Sequence, residues 1–371
     1  SSAAPLATVV SSSLAQETII SAPGALPDIQ DTDIFMPAEV QGNPFVGPRA
    51  FEPDERQFFY GRDDEIAILA GQVMSRRASL FFAQSGAGKS SLLRAGLIPD
   101  LIQQTKAGRG PGRRMVQKMR VMPILEVGYN PAEELFDSID NVYVLSALLS
   151  LYPGKPAEEL ASLTLCEGLA SYFDRSSADD STSNGTSPMT PEAGGKSDDS
   201  YLSTLLIFDQ FEELFTYHPE HWRKREDFFR QVNQALEEYP DLHVVFTMRE
   251  DFIAELTPYA NLLPDQLRAR FRLERLKRNA ALQAIVAPAE KAGRTFATGV
   301  ADELVDNLRR GQPKQDRSGG EAAGGVELGE YVEPVHLQIV CRQLWENLPA
   351  RRKVIEAADV QAFGDVDQAL T

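Results

Sequence analysis

The sequence predicts an α/β fold: a parallel β-sheet with helices on both faces, followed by a helical C-terminal part. Three observations carry this. Four short apolar runs, residues 79–83, 120–127, 205–208 and 243–247, are separated by segments of helical periodicity. Strands alternating with helices imply parallel pairing with both faces covered. A glycine-containing loop, Ser85-Gly86-Ala87-Gly88, joins the first run to a helix, and the third run ends in Asp209. That places a carboxylate at the C-terminal edge of the sheet, where open α/β sheets bind ligands.

Bulk properties bound the rest. A chain of 371 residues makes about two or three domains. Lys and Arg number 37 against 54 Asp and Glu, a net charge of −17, which argues against coating nucleic acid by bulk charge. The 43% hydrophobic and 25% charged residues are the profile of a soluble globular protein. No apolar run approaches the roughly 18 residues of a transmembrane helix. Two cysteines, Cys166 and Cys341, cannot build a disulfide framework, so a reducing, cytoplasmic setting is expected. The chain begins with Ser and reads as a piece of something longer; residues 1–40 contain no Lys or Arg and form no signal peptide.

In chain order, residues 1–43 are Ser-, Ala- and Pro-rich and read as a flexible linker. Order is expected from Asn43-Pro44-Phe45. A helix over 65–74 places Ile66, Leu69 and Val73 on one face. The helix over 92–104 meets Pro99, which must kink or end it. Helices over 144–151 and 157–173 precede a polar stretch, 175–200, read as a disordered insertion, and a helix over 226–238 follows the third strand. Residues 311–329 form a second such loop, between C-terminal helices over 280–292, 301–310 and 335–347.

The strongest chemical signal is Ala83-Gln84-Ser85-Gly86-Ala87-Gly88-Lys89-Ser90-Ser91 between strand and helix. It matches the P-loop pattern G-x-x-x-x-G-K-S with Ala83 at the first glycine position. Backbone amides of such a loop point at phosphate and the helix N-terminus adds positive charge. Lys89 is expected on the β- and γ-phosphates and Ser90 on Mg²⁺. Asp209 is expected in the Mg²⁺ shell, and Glu212 or Glu213 as the carboxylate that orients the attacking water. Arg249, two residues after the fourth run, has two readings: a sensor of the γ-phosphate, or a surface partner of neighbouring carboxylates. The run Tyr60-Gly61-Arg62-Asp63 either opens a helix beside a nucleotide base or caps one with an aromatic anchor. His218-Pro219-Glu220-His221 has metal-ligand residue types but no Cys partners and reads as structural. The basic cluster Arg268, Arg270, Arg272, Arg275, Lys277, Arg278 either faces phosphates in an oligomer or covers a helix surface.

From Asn43 onward the chain resembles the STAND-class NTPases, signal-transduction ATPases with numerous domains, and within them the first "novel STAND" subgroup. The resemblance rests on Asn43-Pro44-Phe45-Val46-Gly47, Phe59-Tyr60-Gly61-Arg62-Asp63, the P-loop through Pro99, Asp209-Gln210-Phe211-Glu212-Glu213, Arg249-Glu250-Asp251-Phe252, and Pro334-Val335-His336-Leu337. It implies a P-loop core with sheet order 5-1-4-3-2 over residues 44–277 and a helical lid over 278–371, with a winged helix to follow. It also implies Gly61, Arg62 and Pro334 near the adenine, Glu212 supporting hydrolysis and Arg249 as sensor. The implied function is an Mg²⁺–ATP/ADP switch with slow ATPase activity. Such a switch self-associates when activated and serves effector and sensor domains outside this stretch, with neither membrane nor nucleic acid as partner. A nucleotide-locked scaffold without turnover is the alternative, because Gln210 follows Asp209 where many ATPases place a catalytic acid. A P-loop small-molecule kinase is the more distant one.

Overall fold

The computed structural model describes residues 42–107, 118–182, 202–310 and 328–363. Its centre is a five-stranded sheet: β1 (Ala78–Ala83), β2 (Lys118–Leu125), β3 (Leu202–Phe208), β4 (Leu242–Arg249) and β5 (Arg270–Leu273). The spatial order is β2-β3-β4-β1-β5, every pair parallel. Read from the other edge this is 5-1-4-3-2, the order the resemblance implies.

The apolar runs are continuous because both faces are buried. Leu205, Ile207 and Val245 join Phe81 and Ala83 on one face; Leu206, Phe208, Val244 and Phe246 join Leu80 on the other. Alternation with a period of two thus hides inside an unbroken hydrophobic string. The first face is covered by α1 (Asp63–Ser75) and the helix after the P-loop. That helix begins as α2 (Lys89–Ser91), widens into a π-helical turn over Leu92–Leu97, and continues as α3 (Ile98–Ala107). The helix therefore does not end at Pro99. The π turn, with Ile98 N–H donating to Leu93 O, reorganises the ladder just before the residue that has no N–H to give.

The second face is covered by α4 (Val142–Leu151), α6 (Leu165–Thr182) and α8 (Arg223–Glu238), with α5 (Ala157–Leu160) and α7 (Glu213–Thr216) as single turns between them. One helix over 157–173 was expected; two are found. Thr164 and Glu167 form a capping box, Glu167 N–H to Thr164 Oγ1 at 3.3 Å and Thr164 N–H to Glu167 Oε2 at 2.8 Å, so a new helix starts there. Helix α6 also continues to Thr182, past the expected start of the polar insertion at residue 175. The rest of that insertion, the 1–41 part of the linker and residues 311–327 of the second loop lie outside the described residues.

After β4 comes α9 (Ile253–Leu256), and after β5 a short strand β6 (Leu276–Lys277) leads into α10 (Arg278–Lys291). The remaining elements are β7 (Thr295–Phe296), α11 (Val300–Arg310), β8 (Tyr331–Val332), α12 (Pro334–Asn347), β9 (Val354–Ile355) and α13 (Ala357–Phe363). Helices α10 to α13 share a separate apolar core. Phe45 belongs to it, stacked edge-on against Trp345 at 6.1 Å. Val46 N–H donates to Gln338 Oε1 (3.0 Å) and Arg342 Nη1 to Val46 O (2.9 Å). The segment expected to open the P-loop core therefore packs on the helical layer first. It also reaches the P-loop helix: Val46 and Phe51 share a small apolar cluster with Ala95, and Phe51 N–H donates to Ser91 Oγ (3.2 Å).

The basic cluster is not a helix surface. Arg270 and Arg272 lie on β5, a four-residue edge strand; Arg272 pairs with Glu250 (3.0 Å) and Arg275 with Glu333 (3.5 Å), while Arg278 opens α10.

Candidate nucleotide site

The P-loop leaves β1 at Ala83 and enters the helix through two left-handed glycines, Gly86 (φ 76°) and Gly88 (φ 93°). Gly88 is the residue immediately before the helix, in a conformation that side chains with a Cβ resist. Ala87 between them is buried. Ser85 opens this turn, and Ser91, one step beyond Ser90, spends its hydroxyl on Phe51 N–H.

Burial pushes the Lys89 ammonium below the ordinary lysine range, and the carboxylates of Glu212 and Asp209 oppose that push. These groups therefore share one space at the sheet edge. Asp209 is 2% exposed. Its Oδ2 accepts from Ser90 Oγ (3.2 Å); its Oδ1 accepts from Gln210 N–H (2.9 Å) and from the Thr247 hydroxyl. Thr247 is there by register: Phe208 pairs with Phe246, so the next residue of each strand meets the other. Thr247 went unrecognised in the sequence. The legible signal was one buried hydroxyl in an apolar strand, level with the strand-terminal Asp of its neighbour.

The turn after Asp209 is anchored by Phe211, fully buried, with its ring 4.6 Å from Phe246 and its N–H donating to Thr247 O (2.8 Å). Gln210 takes a left-handed conformation (φ 50°) to make that turn. Glu212 Oε2 then accepts Arg249 N–H at 3.1 Å. Glu213 is turned elsewhere: a Cβ on Gly128 would lie 2.1 Å from its Oε2. Burial, and then the charge of Glu126, raise its pKa above the usual carboxylate range. The guanidinium of Arg249 pairs with Asp251 and lies 5.6 Å from the Phe252 ring, while its positive charge acts on Lys89. Of the two readings of Arg249, the pairing with a neighbouring carboxylate is the one seen, with Asp251 as partner.

Beside the loop lies a cleft of about 570 Å³, a volume that includes open solvent, lined by Phe51, Phe59, Tyr60, Gly88, Ser91 and Pro334 among others. Pro334 starts α12, and its Cβ would stand 4.0 Å from a Cβ on Gly88. The preceding Glu333, paired with Arg275 and with His336 (3.3 Å), leans towards Gly86. Gly61 (φ 81°) backs onto α10, where a Cβ would come 2.4 Å from Ala280 O. Arg62 borders the cleft, but its guanidinium is turned to the P-loop backbone. His218 and His221 are structural neighbours of Tyr129 and Phe136, Nε2 of His218 standing 2.9 Å from Tyr129 O and His221 stacked on Phe136 at 5.1 Å.

The donor set fits a divalent cation beside a polyphosphate. A hydroxyl and a carboxylate oxygen converge as hard donors, next to the ammonium of half-buried Lys89 and a glycine loop that frees its amides. This fold and site define a P-loop NTPase with an extra strand between those carrying the P-loop and Asp209. A family profile described as "Novel STAND NTPase 1" matches residues 44–371, and the chain belongs to that family. Among solved structures it is similar to the Walker-type ATPase paby2304 of Pyrococcus abyssi: 13% identity, TM-score 0.50, covering 89% of this chain and 77% of that one. It also matches the Aeropyrum pernix ORC2 protein in ADPNP–ADP complexes (11%, TM-score 0.49, 85% and 71% covered). The Aeropyrum pernix ORC1 protein in complex with DNA matches at 12%, TM-score 0.48, with 86% and 67% covered. At such identity the likeness concerns the fold alone. The comparison with curated protein sequences gives no match. Among the described residues no helix is long and apolar enough to cross a membrane.

Proposed function

We propose that this chain is an Mg²⁺–ATP-binding switch that hydrolyses ATP slowly and uses the bound nucleotide to set its own conformation, its self-association and the state of attached effector and sensor domains. The observation that carries this is the meeting of Ser90 and Asp209 at 3.2 Å beside half-buried Lys89. Loop amides and Lys89 would hold the β- and γ-phosphates, and Ser90 and Asp209 would hold Mg²⁺, Asp209 directly or through water. The cation supplies charge neutralisation along the phosphate chain. Glu212 orients water at the γ-phosphate and Arg249 answers to that phosphate's presence. Pro334, carried by the helical layer beside Gly88, would contact the base in the neighbouring cleft, with Tyr60 and Phe59 alongside. A change at the phosphates can thereby move the layer.

Calorimetry should find saturable ATP and ADP binding that strengthens with Mg²⁺, and phosphate release should be slow and continuous. Absence of affinity for both nucleotides would sink the reading. Binding without any phosphate release would instead favour the non-hydrolysing scaffold.

A finer test addresses Thr247. Thr247→Val keeps the shape and deletes the donor to Asp209. With one hydrogen bond worth about 1 kcal/mol, the Mg²⁺-dependent gain in nucleotide affinity should shrink by about fivefold. Affinity in chelator should stay unchanged, and Thr247→Ser should restore the gain. An equal loss with and without Mg²⁺ would refute a role in orienting the carboxylate.

A further inference from the structure

Gly61-Arg62 is the sequence motif that the phosphate grip and the base cleft leave without a task. Arg62 is 4% exposed and sits immediately before α1. Its Nη2 donates to Ala87 O (3.2 Å) and to Glu274 O (2.8 Å), and Nη1 donates to Glu65 Oε1 (2.7 Å). One planar cation thus ties the start of α1, the P-loop and the exit of β5. Burial pulls the guanidinium below its ordinary range, and Glu65 works against that pull.

Ala87 O is a telling place for this contact. In a trans peptide the carbonyl of one residue and the N–H of the next point in opposite directions. With Ala87 O drawn to Arg62, Gly88 N–H must face the other way, towards the interior of the loop. Gly88 has no Cβ and stands at φ 93°. The Ala87–Gly88 peptide is therefore one whose plane could turn over with little steric resistance. An amide that turned over would present a carbonyl oxygen to the phosphate, replacing attraction with repulsion.

We propose that Arg62 is a positioning residue that locks the Ala87–Gly88 peptide with Gly88 N–H aimed at the phosphate chain, so that it governs affinity for polyphosphate and not recognition of the base. The proposal rests on reading the P-loop as a polyphosphate grip. Arg62 does not touch the ligand; it acts through a backbone plane.

The test compares wild type with Arg62→Met, which removes every donor, and Arg62→Lys, which keeps a charged one. The probes are Mg²⁺ with ATP, GTP or inorganic tripolyphosphate, and adenosine alone. Arg62→Met should weaken ATP and tripolyphosphate by the same factor, tenfold or more. The ATP-to-GTP ratio and adenosine binding should not move, and Arg62→Lys should recover part of the loss. A merely structural arginine would alter thermal stability without singling out tripolyphosphate. Loss of ATP with tripolyphosphate untouched, or an altered ATP-to-GTP ratio, would show a base contact and overturn the proposal; so would unchanged affinity for all four probes. If Arg62→Met does not fold, Arg62→Lys carries the comparison: a smaller loss, equal for ATP and tripolyphosphate, supports the lock, and any other pattern refutes it. Wild type that binds no ATP would instead remove the nucleotide reading itself.

Discussion

Lys89→Ala should reduce ATP and ADP affinity by about 10²–10⁴-fold while leaving the ligand-free fold intact. The magnitude follows from removing one partner of a buried charge pair, about 3–5 kcal/mol, at 1.4 kcal/mol per tenfold. The fold should tolerate the change because burial already holds the Lys89 charge at a disadvantage. Truncation therefore removes a strained cation as well as its attraction to Glu212 and Asp209. A consequence in pH has a definite sign. The free protein holds Lys89 below the usual lysine range, and bound phosphates must raise it. Binding then takes up a proton between the two values, so affinity falls as pH rises through that window. Titration calorimetry at several pH values, with a thermal melt of the free protein, checks both parts. ATP affinity within threefold of wild type would remove Lys89 from the phosphate grip.

Glu212→Gln should keep nucleotide binding and lower phosphate release by about 10²–10⁴-fold, the usual contribution of a positioned general base. The geometry favours a clean result. A Gln carbonyl can still accept Arg249 N–H where Glu212 Oε2 now does at 3.1 Å, so the turn keeps its shape. What disappears is the negative charge beside Lys89, which also repels the incoming triphosphate. Affinity should hold or rise. Glu213→Gln separates the two candidates: its carboxylate is wedged at Gly128 near Glu126, so the larger loss belongs to Glu212. A greater loss in Glu213→Gln would reverse the assignment.

Much of the core is legible in the amino-acid sequence. Strands β1, β3 and β4 are largely apolar because both faces are covered, and the glycine loop after β1 and Asp209 after β3 mark the functional edge. The fifth strand was not legible. Arg270-Phe271-Arg272-Leu273 alternates, but over only four residues, and its arginines resemble a solvated helix face. It is a strand because β1 offers an open edge, Leu80 to Ala83 pairing with Arg270 to Leu273. The restart of the helix at Thr164 was readable from its Thr-x-x-Glu spacing and was missed. The turn of Glu213 away from Lys89 was not readable at all, since two adjacent glutamates look alike in a string.

The sequence by itself determined the element types, the glycine loop, the carboxylate-ended strand and the kind of chemistry those residues can perform. Each is set by neighbours along the chain, through backbone freedom, side-chain periodicity and ionic character. Only the tertiary structure decided which groups meet: Thr247 on Asp209, Phe45 on Trp345, Pro334 beside Gly88, and Arg62 on Ala87 and on Glu274, 212 positions away. Those contacts depend on strand register and on how helices pack across the sheet. The buried arginine makes the reason plain: a guanidinium in the interior must find carbonyl or carboxylate acceptors, but the sequence does not say whose.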